Sequence, residues 1–148
     1  MTGVKIVPGL AFTIVCDRGF AIGLYTHKHL RMGALVWMAE DFWDEEPTAN
    51  DVEQVGAWRW CVYFPLAGAI RSRLVYPIAN VAIPEDLVPF PVMRSPLGPG
   101  SWVVARNGES GPPPFEKTAD RGLSISSLVN DTRLKEMLVS DWRPSQRW

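Results

Sequence analysis

The sixteen residues Leu10-Ala11-Phe12-Thr13-Ile14-Val15-Cys16-Asp17-Arg18-Gly19-Phe20-Ala21-Ile22-Gly23-Leu24-Tyr25 decide the fold class. Leu10, Phe12, Ile14 and Cys16 alternate with Ala11, Thr13 and Val15. After Asp17-Arg18-Gly19, a turn by composition, Phe20, Ile22 and Leu24 alternate with Ala21, Gly23 and Tyr25. Two period-2 runs around a short Gly-containing loop predict a β-hairpin. Gly23 within the second run predicts a bulge or a sharp bend.

Working outward, His27 to Gly33 reads as the next turn and Ala34 to Met38 as a third strand. Trp58 to Phe64 returns to strand alternation, with Trp58, Trp60, Val62 and Phe64 on one face and Arg59 opposite. Pro65 to Arg73 reads as a connector with about one helical turn. Leu74 to Ile83 is strand-like, and Pro77 marks it as an edge strand or a bulge. The proline-rich stretch from Pro84 to Gly100 predicts an extended crossing segment, Ser101 to Arg106 another strand, and Asn107 to Phe115 an exposed loop. The tail is helical: Asp131 or Thr132 caps it, Leu134, Met137, Leu138 and Trp142 share a face, and Pro144 ends it. Strands first and a helix last is an α+β order. The expected architecture is a strongly bent or barrel-like antiparallel sheet with a C-terminal helix, in one domain over residues 1–148.

Composition narrows the function classes. Of 148 residues, 47% are apolar and 21% charged, the balance of a chain that builds its own core. The net charge of −1 supplies no global attraction to nucleic acid or to an anionic membrane. Cys16 and Cys61 form neither a disulfide framework nor a C-x-x-C pair, and both read as buried free thiols. The longest runs without Asp, Glu, Lys or Arg have 11 residues, too short for a membrane span. The first of these, Ile6 to Cys16, is split by Pro8-Gly9 and lacks the features of a signal peptide, so the expected location is cytoplasmic.

The chain carries no nucleophile elbow, no Gly-rich phosphate loop and no Walker pattern. His27 and His29 are spaced to point to one side of an extended chain, as two metal ligands must, but Lys28 and Arg31 make the neighbourhood cationic. Solvated loop histidines are the simpler reading, and no cofactor is expected. The Trp58-Arg59-Trp60 run reads as a core stripe in preference to an aromatic cage.

Residues 40–53 are the distinctive stretch: seven carboxylates (Glu40, Asp41, Asp44, Glu45, Glu46, Asp51 and Glu53) with no Lys or Arg among them. Pro47 breaks the stretch, and Thr48 or Asn50 caps a short helix through Val55. One reading of the acidic run is a solvated loop. The other is a docking surface for a basic protein, with Phe42 and Trp43 as aromatic anchors among Asp41, Asp44, Glu45 and Glu46.

Gly9-Leu10-Ala11-Phe12-Thr13-Ile14 followed by Arg18-Gly19-Phe20-Ala21-Ile22-Gly23-Leu24 resembles the opening of immunity-protein family 26. That family begins with a Gly-x-x-aromatic-x-aliphatic strand, a polar turn and an aromatic-x-x-Gly return strand. Tyr63-Phe64-Pro65-Leu66 and Asn130-Asp131-Thr132-Arg133-Leu134 also resemble segments of proteins grouped with it. The resemblance implies a bacterial immunity protein of a polymorphic toxin system, which binds a protein toxin and neutralises it without catalysis. The same grouping carries a small phosphotriesterase label, which implies a metal-dependent phosphotriester hydrolase as the alternative. A non-catalytic interaction module is the third reading. The near-neutral charge departs from the acidic character common among immunity proteins.

Overall fold

A computed structural model describes residues 4–98, 101–106, 109–114, 124–125 and 127–144, with the last part of the first range and both short strand ranges described as backbone. The hairpin is formed by β1 (Leu10–Cys16) and β2 (Gly19–His29), with Cys16 opposite Gly19 across the Asp17-Arg18 turn. Gly19 has φ +113, a conformation that L side chains rarely adopt, and a Cβ there would lie 2.6 Å from the Trp43 carbonyl oxygen. β3 (Gly33–Trp43) pairs with β2, and β4 (Trp58–Phe64) pairs with β3. β5 (Tyr76–Asn80) lies outside β1 and shifts register there, as Pro77 predicts for an edge strand. The five strands are all antiparallel, in the order β4-β3-β2-β1-β5.

The α+β class is therefore as expected, and the sheet is curved. It does not close into a barrel. The outer edge of β4 is occupied instead: Tyr63 N–H donates to the Ser127 carbonyl (3.0 Å), Val129 N–H donates to the Tyr63 carbonyl (2.9 Å), and Cys61 N–H donates to Ser124 Oγ (3.1 Å). With Cys61 and Tyr63 already bonded outward, the middle of this edge is not open for pairing with β5.

Both faces of the sheet are covered. On one face Leu10, Phe12, Ile14, Val36, Met38, Trp60, Val62 and Phe64 pack against α2 (Leu66–Arg71) and α3 (Asp131–Val139). Leu134, Met137 and Leu138 are the buried stripe of α3, and Trp142 meets Trp60 edge-on at 5.6 Å. On the other face Ala11, Ile22, Leu24 and Ala39 pack beneath α1 (Ala49–Glu53) and a 3-10 turn at Glu85–Leu87. Phe12 makes the close approach that demands glycine at position 23. A Cβ on Gly23 would fall 2.2 Å from Phe12 Cζ, in a ring that stacks on Phe64 at 6.1 Å.

Several boundaries differ from the sequence expectation. β2 runs through His29, so the turn is only Leu30–Met32, closed by the Arg31 and Met32 N–H groups donating to His29 Nδ1 at 3.1 and 3.0 Å. β3 extends to Trp43, because its far end still pairs Ala21 with Phe42 and Phe20 with Trp43. The pairing of β3 with β4 slips between Met38 and Ala39, and the extra residue on β4 is Arg59. That bulge turns Trp58 onto the opposite face from Trp60, so the two tryptophans do not form one stripe. Asn130, one residue earlier than expected, caps α3, its side chain accepting from Arg133 N–H at 2.8 Å.

The stretch expected as an exposed loop at 107–115 contains β8 (Glu109–Pro114), paired with β7 (Ser101–Arg106), which pairs with β6 (Met93–Gly98). β8 is an edge strand, where prolines lacking an N–H cost no ladder bond. Among the described residues no helix is long and apolar enough to cross a membrane.

A candidate docking face

The far end of β3 sorts the acidic segment residue by residue. Strand alternation sends Glu40 and Phe42 toward α3 and Asp41 and Trp43 toward α1. Glu40 is consumed internally. Its Oε1 accepts from Arg143 Nη2 at 2.7 Å, and its carbonyl accepts from Arg59 Nε and Nη2 at 3.2 and 3.1 Å. Phe42 is half-buried against the core, with the Arg18 and Arg59 guanidiniums 4.5 and 5.3 Å from its ring centre. Trp43 is half-buried beneath the α1 side, beside Trp58 and Val55. The two aromatics therefore lie on opposite faces of the sheet.

Asp41, Asp44, Glu45 and Glu46 remain exposed and make no ion pair among the described residues. Asp51, further along, is used locally: its Oδ2 accepts from Thr48 N–H at 2.8 Å while Thr48 Oγ1 accepts from Asp51 N–H at 3.4 Å, a capping box that starts α1. The face thus holds four carboxylates without a structural task, next to carboxylates that have one.

Arg59 anchors the network beneath this face. Its side chain is 2% exposed, and burial pushes its guanidinium below its ordinary value, opposed chiefly by Glu40 and Asp141. Nη1 lies 3.2 Å from Asp141 Oδ1, close enough for an ion pair but not aligned as a hydrogen bond. Asp141 also meets Arg143 Nη2 at 3.4 Å and sits at φ 56, so the chain reverses after α3 to deliver it. The bulge at Arg59 and the end of α3 are thereby joined to the base of the acidic segment.

The histidines lie in a strand and not in a loop. His27 Nδ1 is 2.9 Å from Thr26 Oγ1 and Nε2 is 2.7 Å from the Val88 carbonyl, and its ring packs on Phe90 at 4.9 Å. His29 is buried, tied to its turn through Nδ1 and tilted against Tyr63 at 5.6 Å. Both imidazoles thus tie backbone together. Among the described residues no group of three or more His, Cys, Asp or Glu side chains is placed to hold a metal ion. The Cys61 thiol is buried and pushed up to about 12 by desolvation, so it stays protonated, whereas Cys16 is half-buried beside α3.

Two clefts share Trp58 in their lining. The larger, of about 540 Å³, is walled by Trp37, Trp58 and Phe90 and carries Asp86. The smaller, of about 230 Å³, is lined by Leu24, Val52, Trp58 and Glu53. Trp37 Nε1 is buried with no hydrogen-bond partner among the described residues, at a cost of roughly 1–3 kcal/mol. At the other end of the β2–β3 hairpin, a groove of about 420 Å³ has Lys28 and Arg31 as its charged lining.

The acidic segment is legible in composition, whereas the burial of Arg59 and the cleft, whose walls come from three separate stretches of chain, carry no local sequence signal. Comparison with family models, with curated proteins and with solved structures finds no match for this chain.

Proposed function

We propose that this chain is a non-catalytic binding protein that docks a basic protein on the face built by the end of β3 and the β3–α1 connection. In line with its resemblance to immunity-protein family 26, the partner is a bacterial protein toxin, which the chain neutralises by steric and electrostatic blockade in the cytoplasm. One observation carries the reading: Asp41, Asp44, Glu45 and Glu46 stay exposed and unneutralised while Glu40 beside them is locked to Arg143 and Arg59. Holding like charges together without counter-ions is unfavourable for the isolated chain and favourable for encounter with a cationic surface.

The test is protection of cells against the toxin encoded beside this gene. The variant D41K/D44K/E45K/E46K is expected to fold, to lose protection, and to lose the salt-sensitive part of its association rate. Unchanged protection by that variant refutes the docking role. Absence of a neighbouring toxin gene, together with phosphotriester turnover that chelators abolish, supports the hydrolase alternative.

A further inference from the structure

We propose that the cleft walled by Trp37, Trp58 and Phe90 takes an arginine side chain of the docked partner. This rests on the docking reading above and assigns the site where a cationic side chain of that partner is held. The cleft has about 540 Å³ of space, enough for one long side chain, and among the described residues its charged lining is Asp86. The neighbouring cleft, which shares Trp58, contributes Glu53 and no cation among the described residues. Aromatic walls with a carboxylate at the rim suit a guanidinium, which stacks flat on indole while its N–H groups reach a carboxylate. Among the described lining residues, an anionic ligand would meet like charge.

The position fits as well. Ala57 carbonyl accepts from Glu40 N–H at 2.9 Å, so the Gly56-Ala57-Trp58 edge of the cleft lies against the strand end that bears Asp41 and Trp43. A partner drawn to the acidic segment meets this opening next. The Phe90 wall is braced, because His27 packs on its ring and holds the Val88 carbonyl at 2.7 Å. A wall fixed in advance loses little freedom when a ligand enters. The Lys28/Arg31 groove at the opposite end of β3 has the wrong sign for the same ligand.

The experiment titrates the ¹⁵N-labelled full chain with arginine methylamide and follows the tryptophan indole resonances. Lysine methylamide, leucine methylamide and N-acetylglutamate serve as comparison probes. The expected result is saturable shifts at Trp58 and Trp37 with arginine methylamide, at least about fivefold weaker with lysine methylamide and absent with the other two. Trp58→Leu and the exposed Asp86→Asn are each expected to weaken binding about three- to tenfold with unchanged circular dichroism. Equal shifts with leucine methylamide would make the cleft a plain apolar groove, and equal shifts with lysine methylamide would remove the guanidinium preference. Either result, or no shift with arginine methylamide, overturns the proposal. Should Trp58→Leu fail to fold, Asp86→Asn alone decides. The two readings separate in the toxin assay: full protection by both cleft variants sinks the cleft proposal alone, while full protection by the four-lysine variant sinks the docking reading even if the cleft binds arginine.

Discussion

Replacing Gly23 with alanine adds one methyl group directly opposite Phe12 in the β1–β2 ladder. The new Cβ would lie 2.2 Å from Phe12 Cζ and 2.7 Å from both Cε atoms. The Phe12 ring is fully buried and stacked on Phe64 at 6.1 Å with an interplanar angle of 4°, so it has no open space to move into. Overpacking of this kind costs about 3 kcal/mol at the upper end of its usual range. Alanine in place of glycine in a strand returns roughly 0.5–1 kcal/mol, leaving a net loss of about 2 kcal/mol. Phe12→Leu removes the three clashing atoms and by itself costs roughly 1–2 kcal/mol. In the Phe12→Leu background, Gly23→Ala is expected to be neutral or stabilising by up to about 1 kcal/mol. The double-mutant cycle is measured by urea unfolding, with equal slopes required across the four proteins. Additive losses would show that the Phe12–Gly23 contact does not govern this site, and the reasoning would fail.

Further outcomes follow from Arg59, Cys61 and Thr48. Arg59→Met is expected to lower stability by about 2–3 kcal/mol in urea unfolding, below the full cost of breaking a buried pair because Glu40 and Asp141 are 39% and 56% exposed. Arg59→Lys is expected to recover little of it, since one ammonium cannot replace the paired donors to the Glu40 carbonyl. The Cys61 thiol has its folded value raised from 9.0 to about 12, so its contribution to stability is complete below pH 9 and falls between pH 9 and 12, where only the unfolded chain ionises it. The expected loss is about 1.4 kcal/mol per pH unit over that window, and Cys61→Ala should flatten the slope by that amount. Thr48→Ala is expected to cost about 1 kcal/mol in urea unfolding through loss of the capping box.

The parts of the fold legible in the sequence are those where one local signal dominates. Alternation from Leu10 to Tyr25 gives the hairpin, Pro77 gives the edge strand, and the spacing of Leu134, Met137 and Leu138 gives the last helix. Charge hides the rest of β3, because the carboxylates of Glu40-Asp41-Phe42-Trp43 mask a strand whose two aromatics fall on alternate faces. The prolines hid β8 in the same way, although Asn107-Gly108 just before it is a strong hairpin dipeptide. The bulge at Arg59 was not legible, since the slip is defined by the partner strand and not by the Trp58-Arg59-Trp60 run itself. The face divided similarly. Its carboxylates were visible as a cluster, but which of them are neutralised depends on Arg59 and Arg143, the second more than a hundred positions away.

The strip that seals the outer edge of β4 has a consequence for synthesis of the chain. β4 is complete at Phe64, but Ser124, Ser127 and Val129, which pair with it, emerge about sixty residues later, followed by α3. At about 5–20 residues per second, that interval lasts roughly 3–12 s. Throughout it the growing chain carries a bare strand edge, with Phe12, Trp60 and Phe64 still lacking the helix that finally covers them. The stretch that covers this edge is thus translated well after the strand it protects, and the yield of native protein should depend on translation speed and on holding chaperones during those seconds.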